Sequence, residues 1–481
     1  MGKIKWIQPL YKMKMAVLST GNKLSLDDLY AERLLPVLDK KNAKPKEELL
    51  MLLKVAAEVE QSLLIQYLMT AYSIKDDTGT NPLRNAILSV AIQEMGHFLC
   101  VQNLLLFVGG LSNLHLTRTS ISAAFPFPFM LEPISKQVLA KFVIAEAPDP
   151  VPKILEEEVL AIAQDTADGT VNKIDPVGLL YQKIFWIFQK DDTPVAGPGM
   201  MQLSPSSYLP AGFHLAENDW SALSDIDPFE AETNTWTDPH QFGPSAKNAR
   251  HVIFQDVKSR ADALTAVNAI ALQGEGADLI IESKNSDPSH FETFLFQYQH
   301  YNDAFAGSSP ANTIVSFTKN PVTDRNTPYP DASLITNPYS LLWARLFNTV
   351  FSSLLMDIYS SMFYSINKDK FIQLTHSTMT NIISQLSQML IRLPLTGNNF
   401  SYDQGPLCGP TYEIDALVTI STVKADVDRI NKMLLDNITQ QTQSIQNDPL
   451  FQAHQNADFN VFGYLNSISN YTAQKNNLIN N

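Results

Sequence analysis

Two consecutive stretches carry apolar residues at helical spacing, and each interrupts that spacing with ionisable residues. In Lys46–Ser73 the inward stripe reads Leu53, Ala56, Glu60, Leu63, Tyr67, in steps of three and four. In Pro82–Val108 it reads Val90, Glu94, His97, Val101, Leu104, Val108. Such stripes are the buried seams of bundle helices, so the chain must pack helix on helix. A carboxylate inside that packing is costly unless it is paired or bound to a metal. Two neighbouring helices that both break their seam with a carboxylate therefore suggest a shared purpose.

The rest of the chain fits a mainly α protein. Helical spacing recurs at Pro133–Ala147, Val151–Asp165, Pro176–Lys190, Ser259–Gly274, Pro288–Phe305, Pro338–Ile366, Phe371–Leu393 and Ser421–Ile445, bordered by Pro or Gly. Thr193–Arg250 and Gly307–Asn337 are instead rich in Pro, Asn and Ser and read as long loops. Asp458–Asn481 is polar and Asn-rich and is expected to fray. These shifts predict an N-terminal extension over 1–45, a bundle over 46–306 with a loop insertion at 193–250, and a C-terminal helical region over 307–481 packed on it.

Composition narrows the partners. A formal charge of −14 argues against nucleic acid and anionic membranes. The two cysteines, Cys100 and Cys408, form no CxxC pattern and fit a reducing compartment. The basic first residues are interrupted by Lys12 and Lys14, and no signal peptide is expected. No uncharged apolar run reaches the length of about 18 residues that a spanning helix needs. A cytoplasmic protein with no membrane partner is the expectation; a homo-oligomer is left open.

Glu94 and His97 stand at i and i+3, the spacing by which one helix gives a carboxylate and an imidazole to one metal. The plainer alternative is a solvated ion pair on the helix surface. Three more residues could complete a metal shell. Glu146 ends its helix before Pro148, where an ordinary water-facing carboxylate would also fit. Glu275 lies between Gly274 and Gly276, where a helix cap with Glu275 in solvent is the competitor. His290 follows Asp287, a cap residue, and Pro288, and the positive end of a helix would help keep it neutral. A core histidine is the alternative there. Glu60, Glu94, Glu146 and Glu275 with His97 and His290 make four carboxylates and two imidazoles. That inventory suits two iron or manganese ions with positions open to dioxygen. Tyr67, one seam step past Leu63, is either a donor of a hydrogen bond or a redox equivalent at that centre, or a packed core residue.

Several strings together resemble a known family: "EQSLLIQYLMTAYSI", "AIQEMGHFLCVQNLLLFVGG", "FVIAEAP", "GLLYQKI", "ALQGEGADL" and "SHFETF", continuing into "NPYSLLWARLFNTVFSSLL". The chain is similar to the ferritin-like family over most of Glu48–Glu413 and, within it, to the branch named for iminophenyl-pyruvate dimer synthase. The resemblance implies a ferritin-like four-helix bundle with additional packed helices and two long loop insertions. It also implies iron, two ions with manganese as the alternative, held by Glu60, Glu94, His97, Glu146, Glu275 and His290. The activity implied is oxidation by dioxygen of a small, amino-acid-derived substrate in a natural-product-type pathway. The pattern departs at Leu179, where an acidic residue is expected; if that position is a ligand in relatives, the second metal site is altered or absent here. An iron-storage protein without organic substrate and a metal-free helical scaffold are the rival readings.

Overall fold

The computed structural model describes residues 44–75, 81–116, 129–148, 155–163, 177–193, 203–205, 209–220, 252, 255–274, 288–305, 314–315, 317–324, 332–364, 366–398, 402–453 and 461–480. Two long helices, α1 (Pro45–Tyr72) and α2 (Pro82–Gly109), lie side by side along most of their length. Each begins with proline in its first turn, where the missing N–H costs nothing. Asn81 caps α2 by accepting from the Arg84 amide, and Gly110, at a φ of 71°, ends it. Five shorter helices follow: α3 (Lys136–Ala145), α4 (Leu160–Ala163, entered through a π turn at Leu155–Val159), α5 (Val177–Phe188), α6 (Arg260–Gly274) and α7 (His290–Gln299). Of these, α3 pairs with α7 and α5 with α6; α5 also packs on α1, and α6 and α7 both touch α2.

The remaining helices are α8 (Pro338–Phe363), α9 (Lys368–Ser377), α10 (Ser384–Leu390), α11 (Lys424–Gln446), α12 (Pro449–Ala453) and α13 (Val461–Asn480). Between them and the first set lies a two-stranded parallel ribbon, β1 (Pro321–Val322) with β2 (Ser333–Leu334), Pro321 opposite Ser333. One buried apolar cluster runs through both sets of helices. The protein is mainly α, a helical bundle with further helices packed on it.

Four sequence expectations are corrected. The seam on α2 is not a stripe: from Ile87 to Val108 the helix is buried on every face, enclosed by α1, α6 and α7. The residue capping α7 is Ser289, not Asp287, which lies outside the described residues. The Ser289 side chain accepts from the Glu292 amide while Glu292 accepts from the Ser289 amide, a reciprocal box that a lone aspartate further upstream cannot form. The helix expected over Phe371–Leu393 is broken by a π turn at Thr378–Ile383 between α9 and α10. Over its described residues, 461–480, the C-terminal segment is helical: Val461, Leu465, Ile468 and Tyr471 form a buried edge at helical spacing, and Lys475 is buried beside them. Its many Asn and Gln residues occupy the outer face and hid that edge. Helices α2 and α8 are long and apolar enough to cross a membrane by length and composition; 100% and 83% of their apolar windows are buried within the protein, as core helices are.

Candidate metal centre

The middle of α1 and α2 meets three helix ends. Glu60 comes from α1, and Glu94 and His97 from α2; Glu146 is the C-cap of α3 and His290 the first residue of α7. None of the five is more than 3% exposed. Helix ends at this depth leave backbone groups and side chains converging on one point without a competing turn of helix. Glu275 lies outside the described residues. The end of α6 that precedes it does reach the cluster: a β-carbon on Gly274 would sit 3.6 Å from Glu146 Oε2.

Glu94 is the hub. Its Oε2 is 3.2 Å from His97 Nδ1 and its Oε1 is 2.7 Å from His290 Nδ1. Glu60 Oε2 approaches His97 Nδ1 at 3.5 Å, and Glu146 Oε2 lies 3.9 Å from His290 Nδ1. The two imidazoles stack, centroids 5.2 Å apart and planes 27° from parallel. Ligand atoms of Glu94, His97 and His290 all fall within 4.8 Å of one another.

Both histidines are held from behind in the same way. His97 Nε2 lies 3.0 Å from Gln273 Oε1, and His290 Nε2 lies 2.9 Å from Gln93 Oε1. A glutamine carbonyl accepts, so each Nε2 carries its proton and each Nδ1 turns its lone pair to the carboxylates once the ring is neutral. The carboxylates are steered by phenols. Tyr67 donates to Glu146 Oε1 at 2.5 Å, its ring wedged against Phe142 and Phe294, and Tyr181 on α5 donates to Glu60.

The electrostatics are those of a site short of positive charge. Burial, reinforced by the Glu94 charge, pushes Glu60 up to about 8, so without a cation it keeps its proton at neutral pH. Burial alone would raise Glu94 as well, but His290 and His97 outweigh it and hold that carboxyl well below its usual range. Burial would lower His97; Glu94 and Glu60 reverse the effect and raise it well above an ordinary imidazole. Tyr67 is pushed far up by burial and by Glu146, so it stays a donor.

The residues fit a divalent cation. Glu60 Oε2 and Glu94 Oε1 are buried without an aligned hydrogen bond, although an imidazole nitrogen lies only 2.7 Å from the latter. Close approach without alignment is what lone pairs directed at a common centre produce, and buried carboxylate oxygens left so are otherwise costly. Carboxylate with imidazole is a donor set for iron, manganese or zinc.

Of the residues singled out in the sequence, Glu60, Glu94, His97, Glu146, His290 and Tyr67 come together. Leu179 packs in the core of α5, and the polar group that helix supplies is Tyr181. Gln93, Gln273 and Tyr181 escaped the sequence reading. Gln93 and Gln273 are uncharged, and Tyr181 sits in a run of aromatics that reads as packing. His115 and His214 stand apart, bonded to Glu58 and Asp192. Cys100 is a core residue whose thiol burial pushes up to about 12.

A ferritin-like family model matches residues 53–198, the span from α1 through α5 that holds Glu60, Glu94, His97 and Glu146. Among solved structures the chain is similar to a ferritin-like protein from Caulobacter vibrioides, at 16% identity and a TM-score of 0.33, over 66% of this chain and 87% of that one. No curated protein matches the sequence. Residues 53–198 are thus similar to the ferritin-like family.

Proposed function

We propose that this protein is a non-haem iron oxidoreductase of the ferritin-like class, using dioxygen to oxidise a small organic substrate. The observation that carries the reading is the buried convergence of three carboxylates and two imidazole Nδ1 atoms, with no lysine or arginine pairing with Glu60 or Glu94 among the described residues. Glu60, Glu94, His97, Glu146 and His290 would hold the metal, with Glu275 as a sixth ligand and two ions as the expected content. When bound, iron in a carboxylate and imidazole set supplies redox chemistry with dioxygen at open positions.

The chain's own residues do the rest. Glu94 lies between the two imidazoles, one oxygen toward each, and would be a central ligand of the metal. Tyr67 and Tyr181 fix Glu146 and Glu60 by hydrogen bonds, and Gln93 and Gln273 fix the ring orientation of the histidines. Burial excludes water and strengthens every charge interaction inside. The similarity to the iminophenyl-pyruvate dimer synthase branch supports an amino-acid-derived substrate and a natural-product-type pathway. The loops at 193–250 and 307–337 are the segments proposed to shape its pocket.

The test is metal content of protein purified without chelator, beside Glu94→Ala and His97→Ala. About two irons or manganese ions per chain, lost in both variants, with dioxygen uptake that follows metal content, is the expected result. No metal after anaerobic reconstitution with ferrous iron would sink the proposal.

A further inference from the structure

A largely enclosed cavity of about 20 Å³ lies beside the ligand-bearing helices, among α1, α2, α8 and the π turn at Thr378–Ile383. Its walls expose no polar surface; Leu64, Met95, Phe98, Leu355, Met379 and Ile383 form much of the lining. That volume exceeds what a single water needs; Gln61 and Tyr412 also line it, but neither turns polar surface to the space, and the Gln61 amide donates to the Leu116 carbonyl, so a water there would find no partner. Apolar cavities of this kind stay dry and take up small apolar molecules such as xenon.

Two features set it apart from a packing fault. Met95 adjoins Glu94 in the chain, Phe98 adjoins His97, and Leu64 lies one turn beyond Glu60, so three lining residues share helical turns with three of the proposed ligands. Opposite them, Met379 and Ile383 belong to the π turn, a rare helical irregularity frequently found at functional sites. Methionine on both walls gives a lining that can yield to let a small molecule pass.

We infer that this cavity is a binding site for dioxygen, holding it in an apolar space beside the helices that carry the metal ligands. The purpose rests on the oxidoreductase reading above, but occupancy does not require metal, so the two fail separately. Dioxygen is apolar, small enough for the volume, and paramagnetic. Metal-free full-length protein labelled with ¹³C-methyl methionine would be compared under nitrogen and under dioxygen. Paramagnetic relaxation at the Met95 and Met379 methyls is expected to exceed that at Met356 several-fold; Met356 is as buried as Met95 but does not line the cavity. Leu355→Phe, which fills the space, is expected to abolish the excess, and Leu355→Ala to enlarge it. Pressurised xenon should compete it away in the wild type. Equal relaxation at all three methyls, or an excess unchanged by both variants, would overturn the proposal. Metal content, measured separately, bears only on the oxidoreductase reading.

Discussion

In the C-terminal helices Asp357 and Lys475 are both buried, and so are Glu60, Glu94, Glu146, His97 and His290 in the N-terminal bundle. The two regions manage that burial by different means. Lys475 Nζ lies 2.7 Å from Asp357 Oδ1 and donates to the Ser353 hydroxyl and carbonyl; Tyr471 donates to Asp357 Oδ2. One cation meets one anion, and α13 is tied to α8. Burial raises the Asp357 carboxyl and lowers the Lys475 ammonium, each against the pull of its partner, which marks the pair as a cost tolerated for a fixed contact. The N-terminal cluster sets three carboxylates against two imidazoles, and Glu60 responds by holding a proton. A balanced cluster is finished as it stands. The unbalanced one offers a place for a cation from outside, which is why it carries the proposed function.

The sharpest way to break this contrast is to unbalance the balanced cluster. Lys475→Met leaves Asp357 buried without its cation and should destabilise the protein by about 3–5 kcal/mol. Asp357→Leu combined with Lys475→Met removes both charges and should recover most of that loss. Chemical denaturation of the two variants checks it, and metal content should match wild type in both. A double variant as unstable as the single one would show that shape, not charge, is what holds α13.

pH separates the regions next. Glu60 in the metal-free protein has a folded pKa of about 8, above its ordinary 4.5. A raised carboxyl means the folded state takes up a proton, so its contribution to stability is full below about 4.5 and is lost as pH rises towards 8. Between pH 6 and 8 the metal-free protein should therefore lose on the order of 2–3 kcal/mol from this group. A bound cation replaces the proton, so excess metal should flatten or reverse the slope. Melting temperatures across that range, with chelator and with metal, give the answer. The slope should survive the Lys475 variants unchanged and become shallower in Glu60→Gln, the remainder coming from His97, which also holds its proton in the folded state.

Much of this was legible in the sequence wherever a single helix carried the signal. Glu60, Glu94 and His97 announce themselves because a charge on an apolar stripe is visible without knowing the partner. Glu146 and His290 were marked by helix ends. Asp357 was visible as a charge in an apolar run, but Lys475 was not, because the residue that justifies burying it sits on another helix far back in the chain. The same blindness applies to Tyr181 and Glu60, on α5 and α1. A partner across the fold leaves no local period.

Gln93 and Gln273 are the case in which that blindness matters most for function, and they give the smallest effect. Each accepts from the Nε2 of one histidine, and so decides which nitrogen faces the carboxylates. Leucine at either position keeps the bulk and removes the acceptor. The ring would then be free to rotate or to carry its proton on Nδ1, where it repels a cation. Each substitution should weaken metal binding by about 10–100-fold, or about 1.4–2.7 kcal/mol, while Gln→Glu, which keeps the acceptor, should restore it. Competition with a chelator of known affinity measures the change, and ¹⁵N chemical shifts of His97 and His290 report the tautomer independently. Wild-type affinity in both leucine variants, with the Nε2–H tautomer retained, would mean that the carboxylates alone orient the imidazoles. The phenols of Tyr67 and Tyr181 would then be the cluster's supports from outside, as Ser353 and Tyr471 are for the Asp357–Lys475 pair.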